Sequence, residues 1–581
     1  MNPSTAFARV FVDELIRGGV EHAVLAPGSR SAPLALAFAE AERTGGLSLH
    51  VRTDERTAGF LALGLAKGTG VPVPVLTTSG TATAHLHAAV LEASYSGIPV
   101  LALTADRPPE MRGTGANQTI DQIGLYGKAA RFFADVAAPE RTVGSNDRWR
   151  RQVCQALAWA RGAVNGRPGA VHLNLPLRAP LLPGMPEPGR RDGAEDLWPE
   201  SLEGRAGGLP WAAEQPVPQV DPQAAVGSGG NLANAGEDAG PTWLVLGDTT
   251  PDISAIAVGI AARLEWPVFA EPTGNAGAGA VPAYLGLLES GAFLDRHRPK
   301  RVVCVGRATL SRAVQRLLDD EAIEVERYEF GPQWADRSLP IDELSRRADE
   351  QSSPGVGGGG AALIDVIAAA GDVLSQYQDR IVDEAYLGGA RVARDLACQL
   401  PNGARLFLGS STPIRDVDRY AHPRDGVQML ANRGVAGIDG SISTAVGIAA
   451  SDQSRPTFAL IGDLAFLHDL GGLVIPASEP RPDLTLVVVD NRGGGLFAQL
   501  EPGRPEYEQD YARVFGTPHS QDLVEVARSL GWPAEQVTKA EQLGDALGRG
   551  GPRVIVIRTD QRADADLLGR VRDIPEDLFD Q

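Results

Sequence analysis

LIGDLAFLHDLGGLVI, residues Leu460–Ile475, sets a Gly-Asp pair where one periodicity gives way to another. Before it, RPTFAL is short, apolar and bounded by proline, the pattern of a buried strand. After it, AFLHDLGGLVI carries its apolar residues at helical spacing. A strand running straight into a helix is the unit of a parallel α/β sheet, and such sheets hold ligands beyond the carboxyl ends of their strands. Asp463 is therefore placed to face a ligand.

The same unit recurs on both sides. HAVLAPGSRSAPLALAFAEA, LSLHVRTDERTAGFLALGLAKG and VPVLTTSGTATAHLHAAVLEASYSG follow one another from His22, and the strand IPVLALTADRPPE closes the run. ARLFLGSSTPIRDVDRY, GVQMLANRGVAGIDGSISTAVGIAAS and DLTLVVVDNRGGGLFAQL repeat the style around the opening stretch. Between the two blocks, PTWLVLGD, KRVVCVGRATLSRAVQRLLDD and IEVERYEF supply a further α/β block. The Pro-, Gly-, Glu- and Ala-rich run from Leu182 to Gly240 reads as a linker or surface excursion, and QSSPGVGGGG (Gln351 to Gly360) as a flexible tether. The expectation is an α/β protein of three doubly wound parallel-sheet domains, residues 1–185, 186–360 with Gly/Pro-rich excursions, and 361–581.

Charge limits the partners. The 54 basic and 73 acidic residues give a net charge of -19, which repels polyanions and argues against nucleic acid and anionic membrane. No apolar run approaches the ~20 residues of a membrane span. The amino terminus reads as an amphipathic helix (Phe7, Val10, Phe11, Leu15) started by Ser4 or Thr5 and stopped by Gly18 and Gly19, not as a targeting segment. Cys154, Cys304 and Cys398 match no metal-ligand spacing and read as small core residues of a cytoplasmic protein. His85 and His87 receive no role.

Asn491 lies 28 residues beyond Asp463, one crossover unit on. If their strands are neighbours, a carboxylate, an amide oxygen and a free carbonyl of the glycine run (Gly493 to Gly495) meet at one edge of the sheet. Such hard oxygen donors suit Mg²⁺ and a diphosphate. Each group alone has a plainer reading: a helix cap for Asp463, a turn for Asn491, a first-turn acid for Glu55.

Together, the Gly-Asp pair and the later asparagine resemble the fingerprint of thiamine diphosphate-dependent enzymes. APGSRSAPL, FLALGLAKG, TSGTATA, LTADRPPE, GANQTI, NRGVAGIDGSISTAVG, GDLAFLHDL and DNRGGGLF narrow the resemblance to the 2-succinyl-5-enolpyruvyl-6-hydroxy-3-cyclohexene-1-carboxylate synthase family, the carboligases of menaquinone biosynthesis. The match spans the outer blocks in order and is weak across the middle one.

The resemblance implies a thiamine diphosphate-dependent decarboxylase fold, Mg²⁺ or Mn²⁺, and 2-oxoglutarate and isochorismate as substrates. It implies Glu55 as the catalytic acid on the aminopyrimidine, and Asp463, Asn491 and Gly493 as metal ligands. Ser411 and Ile438 would touch the cofactor, Ile438 as the wedge that bends it. Ser29, Arg30, Arg107, Asn117, Gln118, Ser411, Arg415, Asn432 and Arg433 would bind substrate, the arginines as clamps on carboxylates. Arg312 would reach the substrate from the middle block, and Phe497 and Leu500 would form an apolar wall. A homodimer or dimer of dimers with shared active sites is also implied. One departure stands out: Ala465 stands where the family often has a small hydroxyl residue, so one diphosphate hydrogen bond would be lost, or supplied by Ser441, Ser443 or backbone. The competing readings are another 2-oxoacid decarboxylase or acetohydroxyacid synthase-like enzyme, and a noncatalytic cofactor-binding homologue. Intact Glu55, Asp463 and Asn491 speak against the last.

Overall fold

Continuous apolar runs such as VVVD and LALTAD suit strands covered on both faces, and parallel sheets follow. The computed structural model describes residues 1–185, 198–213, 240–329, 338–351 and 360–579. Its first sheet contains β1 (His22–Leu25), β2 (Ser48–Val51), β3 (Val73–Thr77), β4 (Val100–Asp106), β5 (Phe133–Asp135) and β6 (Val171–Pro176) in the order β2-β1-β3-β4-β6-β5. The middle sheet contains β7 (Thr242–Leu246), β8 (Val268–Ala270), β9 (Arg301–Val305) and β10 (Glu324–Tyr328), ordered β10-β9-β7-β8. The last contains β11 (Ala404–Leu408), β12 (Val427–Ala431), β13 (Thr457–Gly462), β14 (Leu484–Asp490), β15 (Ala534–Val537) and β16 (Arg553–Arg558), ordered β12-β11-β13-β14-β16-β15. All pairings between these strands are parallel. The outer sheets thus share one strand order, as their repeated style predicts. In each, the winding reverses at the first strand, so the ligand crevice lies beyond β1 and β3, or beyond β11 and β13.

The chain folds into two compact units that do not follow its order. One holds Met1–Pro218, Arg433–Gln453 and His468–Pro482, and the other holds Gln219–Asn432, Ser454–Leu467 and Asp483–Gln581. Within the first, helix Glu55–Thr69 crosses helix Ser441–Ser451 at two glycines. A Cβ on Gly64 would lie 2.2 Å from the Thr444 carbonyl oxygen, and one on Gly447 2.4 Å from that of Leu61, so only glycine lets the backbones meet. No helix among the described residues is long and apolar enough to cross a membrane.

Several expectations are corrected. Helix Pro3–Arg17 buries Phe7, Val10, Phe11 and Leu15 as expected, but Asn2 caps it. The Asn2 side chain accepts the Thr5 N–H at 2.9 Å, Pro3 fits the first turn, and Ser4 Oγ donates to the Arg178 carbonyl instead. Of the Leu182 to Gly240 run, residues 186–197 and 214–239 lie outside the described residues, and the part between is docked. Trp198 and Leu202 pack on the first sheet's core, and the Trp211 N–H donates to Glu14. The tether lies outside the described residues except at its ends, Gln351 and Gly360, which belong to helices. Cys154 and Cys304 are buried as expected, but Cys398 is exposed.

At the edge of the first sheet, parallel pairing of β1 and β2 sets His22 Nδ1 3.2 Å from His50 Nε2. Burial first, then the charges of His22 and Arg52, push His50 down to about 3. Burial also lowers His22, against the attraction of Glu21. The His50 ring is thus neutral when folded but protonates near 6.5 once unfolded, so this stability is full above pH 6.5 and lost as pH falls from there toward about 3. His50→Gln should resist acid better than wild type, with a gap in unfolding midpoint that opens below pH 6.5. A gap constant across that range would defeat the assignment.

Candidate functional site

β13 and β14 pair with Gly462 opposite Val489, which sets Asp463 level with Asp490 and Asn491 one residue beyond. Asp463 is 3% exposed. The Gly493 N–H donates to Asp463 Oδ2 at 2.8 Å and to Asn491 Oδ1 at 3.3 Å, so the two expected metal-ligand oxygens converge on one point. The Leu464 N–H holds Asp463 Oδ1 at 2.7 Å. Burial raises the Asp463 carboxyl's pKa, against the hydrogen bonds from His519, Gly493 and Leu464. Gly493 has φ +147°, and a Cβ there would lie 2.1 Å from the Gly516 carbonyl oxygen. Carboxylate and amide oxygens on one cradle of bare backbone fit a hard dication such as Mg²⁺.

The helix after Asp463 is shorter than its spacing predicts. It ends at His468, and Leu470–Leu473 is a 3₁₀ turn. Between them Asp469 turns inward to accept the Ser443 N–H at 2.7 Å and Oγ at 3.1 Å, its pKa pushed up to about 6 by burial. Ser441 Oγ donates to the Ile438 carbonyl at 2.8 Å. Both hydroxyls expected to compensate for Ala465 are therefore already engaged.

Beyond β11, Ser411 has φ +79°, rare for a residue other than glycine and typical of functional sites. Its carbonyl accepts Arg415 Nη1 at 2.7 Å, and Arg415 is exposed. Asn432 is buried at the end of β12. Phe497 is 36% exposed, its ring 5.8 Å from that of Phe515, and Leu500 is half-buried, so neither is a core residue. Arg312 extends into solvent and pairs with Glu501 at 3.0 Å.

In the first unit, the loops beyond β1 and β4 carry five expected residues. Arg30 Nη1 donates to the Leu177 carbonyl at 2.6 Å and Arg107 Nη2 to that of Asn117 at 3.0 Å, while the Nε of each is buried without a hydrogen-bond partner among the described residues. Burial, then the charge of Arg107, lowers Arg30's pKa, so two cations stand within mutual influence. Asp106 holds the second of them in place: its carboxylate accepts the Arg107 N–H at 2.7 Å, Arg112 Nε at 3.0 Å and Asn174 Nδ2 at 2.9 Å. Gln118, at φ +55°, donates Nε2 to the Ser79 carbonyl at 2.9 Å and accepts Ser79 Oγ on its own carbonyl at 3.0 Å. Asn117 and Ser29 are exposed.

Glu55 opens helix Glu55–Thr69, but Asp54 caps it, accepting the N–H of Arg56 at 2.8 Å and of Thr57 at 3.4 Å. The half-buried Glu55 carboxylate is thereby left without a hydrogen bond among the described residues. Ile438 is half-buried and Arg433 buried. Glu92 accepts the N–H groups of Gly434 and Val435, each at 2.7 Å, and fixes their loop.

Sequence reasoning missed Asp490, Asp54, Glu92 and His519. An acid ending an all-apolar strand marks Asp490 in VVVDNR. His519 lies in irregular backbone 56 residues from its partner Asp463, and no local signal points to it.

Residues 5–125 match the family described as "Thiamine pyrophosphate enzyme, N-terminal TPP binding domain" and residues 412–557 its C-terminal counterpart. The "2-succinyl-5-enolpyruvyl-6-hydroxy-3-cyclohexene-1-carboxylate synthase" of Saccharopolyspora erythraea is 43% identical over 98% of this chain and 97% of its own. The proteins of the same name from Thermobifida fusca and Nocardia farcinica are 45% and 42% identical, over 98% of this chain and 98% and 99% of theirs. The chain belongs to this synthase family. It is a thiamine diphosphate enzyme, and the synthase alignments run through the middle block, where the sequence strings alone were weak. Residues 335–397 also match "Bacteriophage baseplate protein, N-terminal domain", a stretch the full-length synthase alignments cover as well.

Proposed function

We propose that the chain decarboxylates 2-oxoglutarate and adds the resulting succinyl-semialdehyde carbanion equivalent to isochorismate, releasing CO₂ and forming 2-succinyl-5-enolpyruvyl-6-hydroxy-3-cyclohexene-1-carboxylate for menaquinone biosynthesis. The observation that carries this reading is the Arg30–Arg107 pair: two neighbouring guanidinium groups with unpartnered Nε–H donors suit carboxylates, which both substrates carry in pairs.

Asp463, Asn491 and the Gly493 carbonyl would hold Mg²⁺ or Mn²⁺ against the cofactor's diphosphate. When bound, thiamine diphosphate supplies a nucleophilic carbanion at its thiazolium carbon. Glu55 would share a proton with the cofactor's pyrimidine nitrogen; its freedom from capping supports that role. Arg30, Arg107, Arg415 and Arg433, with Ser29, Ser411, Asn117, Gln118 and Asn432, would orient the two acids, and Phe497 and Leu500 would exclude water. Arg312, paired with Glu501, would contribute only after exchanging partners.

A homodimer or dimer of dimers belongs to the same proposal by resemblance; a sedimentation profile showing only monomer would remove it. So does a cytoplasmic setting, supported by three free cysteines.

The deciding assay supplies thiamine diphosphate, Mg²⁺, 2-oxoglutarate and isochorismate and follows CO₂ and product mass. Turnover of a different 2-oxoacid instead would favour the decarboxylase alternative. Arg107→Ala should weaken apparent substrate binding by about 2 kcal/mol, the low end for truncating a hydrogen-bonded charge pair because Arg107 is half-buried. Cofactor affinity should hold; lost cofactor affinity with normal substrate dependence would make Arg107 a phosphate-site residue.

A further inference from the structure

We infer that His519 is a positioning residue for the cation site: its Nε2, hydrogen-bonded to Asp463, orients that carboxylate and stands beside Asp490, while His519 itself stays off the metal. The inference rests on the proposed reading of Asp463 as a ligand.

Ligand atoms of Asp463, Asp490 and His519 lie within 4.8 Å of one another, a grouping compatible with direct binding of a cation by all three. Hydrogen bonding argues otherwise. His519 Nε2 lies 3.1 Å from Asp463 Oδ2 and 3.4 Å from Asp490 Oδ1. Nε2 is already engaged with the Asp463 carboxylate at hydrogen-bond distance, so a cation on that carboxylate's other lone pairs leaves the ring beside the ligand and off the ion. A ligating histidine is normally oriented by a bond at its other nitrogen, yet His519 Nδ1 is buried without a partner among the described residues.

What the ring does is hold two acids together. Asp463 and Asp490 end adjacent strands at the same level. Asp490 is fully buried, and its Oδ2 has only Arg558 at 3.5 Å and Arg492 at 3.7 Å, beyond hydrogen-bond reach. His519 Nε2 stands between the two carboxylates, hydrogen-bonded to Asp463 and 3.4 Å from Asp490. With it, Asp463 Oδ2 has two nitrogen partners and Oδ1 has one, which fixes the carboxylate's plane.

The backbone carrying His519 is clamped to the glycine run. The Gly494 N–H donates to the Gly516 carbonyl at 2.7 Å, and Arg492 Nη1 reaches the carbonyls of Gln521 at 3.2 Å and His519 at 3.4 Å. Partners of this kind typically account for 10- to 100-fold in metal affinity.

The test uses the full chain with thiamine diphosphate and Mn²⁺ in place of Mg²⁺, reading free Mn²⁺ by electron paramagnetic resonance. His519→Ala should bind Mn²⁺ about 10- to 100-fold more weakly, and His519→Gln, whose amide N–H can reach the same carboxylate, should recover most of that. Pulsed resonance of Mn²⁺ bound to wild type should show no directly coordinated imidazole nitrogen. That measurement decides even if His519→Ala does not fold. Wild-type affinity in a folded His519→Ala would overturn the inference, as would an imidazole coupling that disappears in His519→Gln. Asp463→Ala is the control: unchanged Mn²⁺ affinity there would remove the ligand reading itself, whereas a loss there with none in His519→Ala would remove only the role of His519.

Discussion

Asp463→Ala is expected to bind thiamine diphosphate with Mg²⁺ more than about 100-fold more weakly than wild type, exceeding what the loss of an outer partner of a metal ligand costs. Without its carboxylate the proposed dication would lose its charged protein ligand, and the diphosphate would lose the ion tying it to the strand ends. The fold should survive. His519 keeps Asp490 as a partner at 3.4 Å, and the Gly493 N–H keeps Asn491 Oδ1 at 3.3 Å, so no buried charge is stranded. Calorimetric titration with the cofactor, beside a melting curve of the protein alone, separates the two effects. Unchanged cofactor affinity would sink the assignment, and a collapsed melting curve would make Asp463 structural.

Glu14→Ala should cost about 3–5 kcal/mol of stability, the range for removing one partner of a buried ion pair. Glu14 and Arg150 are both 0% exposed. Their 2.6 Å contact is joined by the Trp211 N–H, also 2.6 Å from Glu14, and by Cys154 Sγ at 3.2 Å. Removing the carboxylate leaves a guanidinium facing the core with Asp13 as its remaining acid. The double variant Glu14→Met, Arg150→Met should be more stable than Glu14→Ala, because no unpaired charge is left behind. Denaturant midpoints for the three proteins decide the matter. A loss under 1 kcal/mol for Glu14→Ala would mean that water reaches the pair.

The strands were legible because apolar runs between turn residues have few other solutions, and the repeated style of the outer blocks became one strand order. The placement of Asp463 and Asn491 at adjacent strand ends was legible for the same reason: a strand's carboxyl end is a fixed place. Neighbouring caps were not. Glu55 and Asp54 are adjacent carboxylates, and only backbone angles decide that Asp54 takes the orphan N–H groups and releases Glu55. Pairings across long separations were equally hidden, since nothing in VEVARSL or FGTPHSQ announces His519, and nothing in the Pro/Gly-rich run announces that Trp211 seals Glu14. The helix after Asp463 was overread because hydropathy periodicity does not see that Asp469 is needed elsewhere, at Ser443.

The crossing of Gly64 and Gly447 also has a consequence for synthesis. The two glycines are 383 residues apart, so at ribosomal rates of about 5–20 residues per second the apolar surface of helix Glu55–Thr69 waits roughly 20–80 s for the helix that covers it. During that time the nascent first unit is unfinished, however good its own sheet is, and its bare helix face stays open to anything that binds apolar surface. Release of a chain truncated before Ser441 would leave that surface open for good.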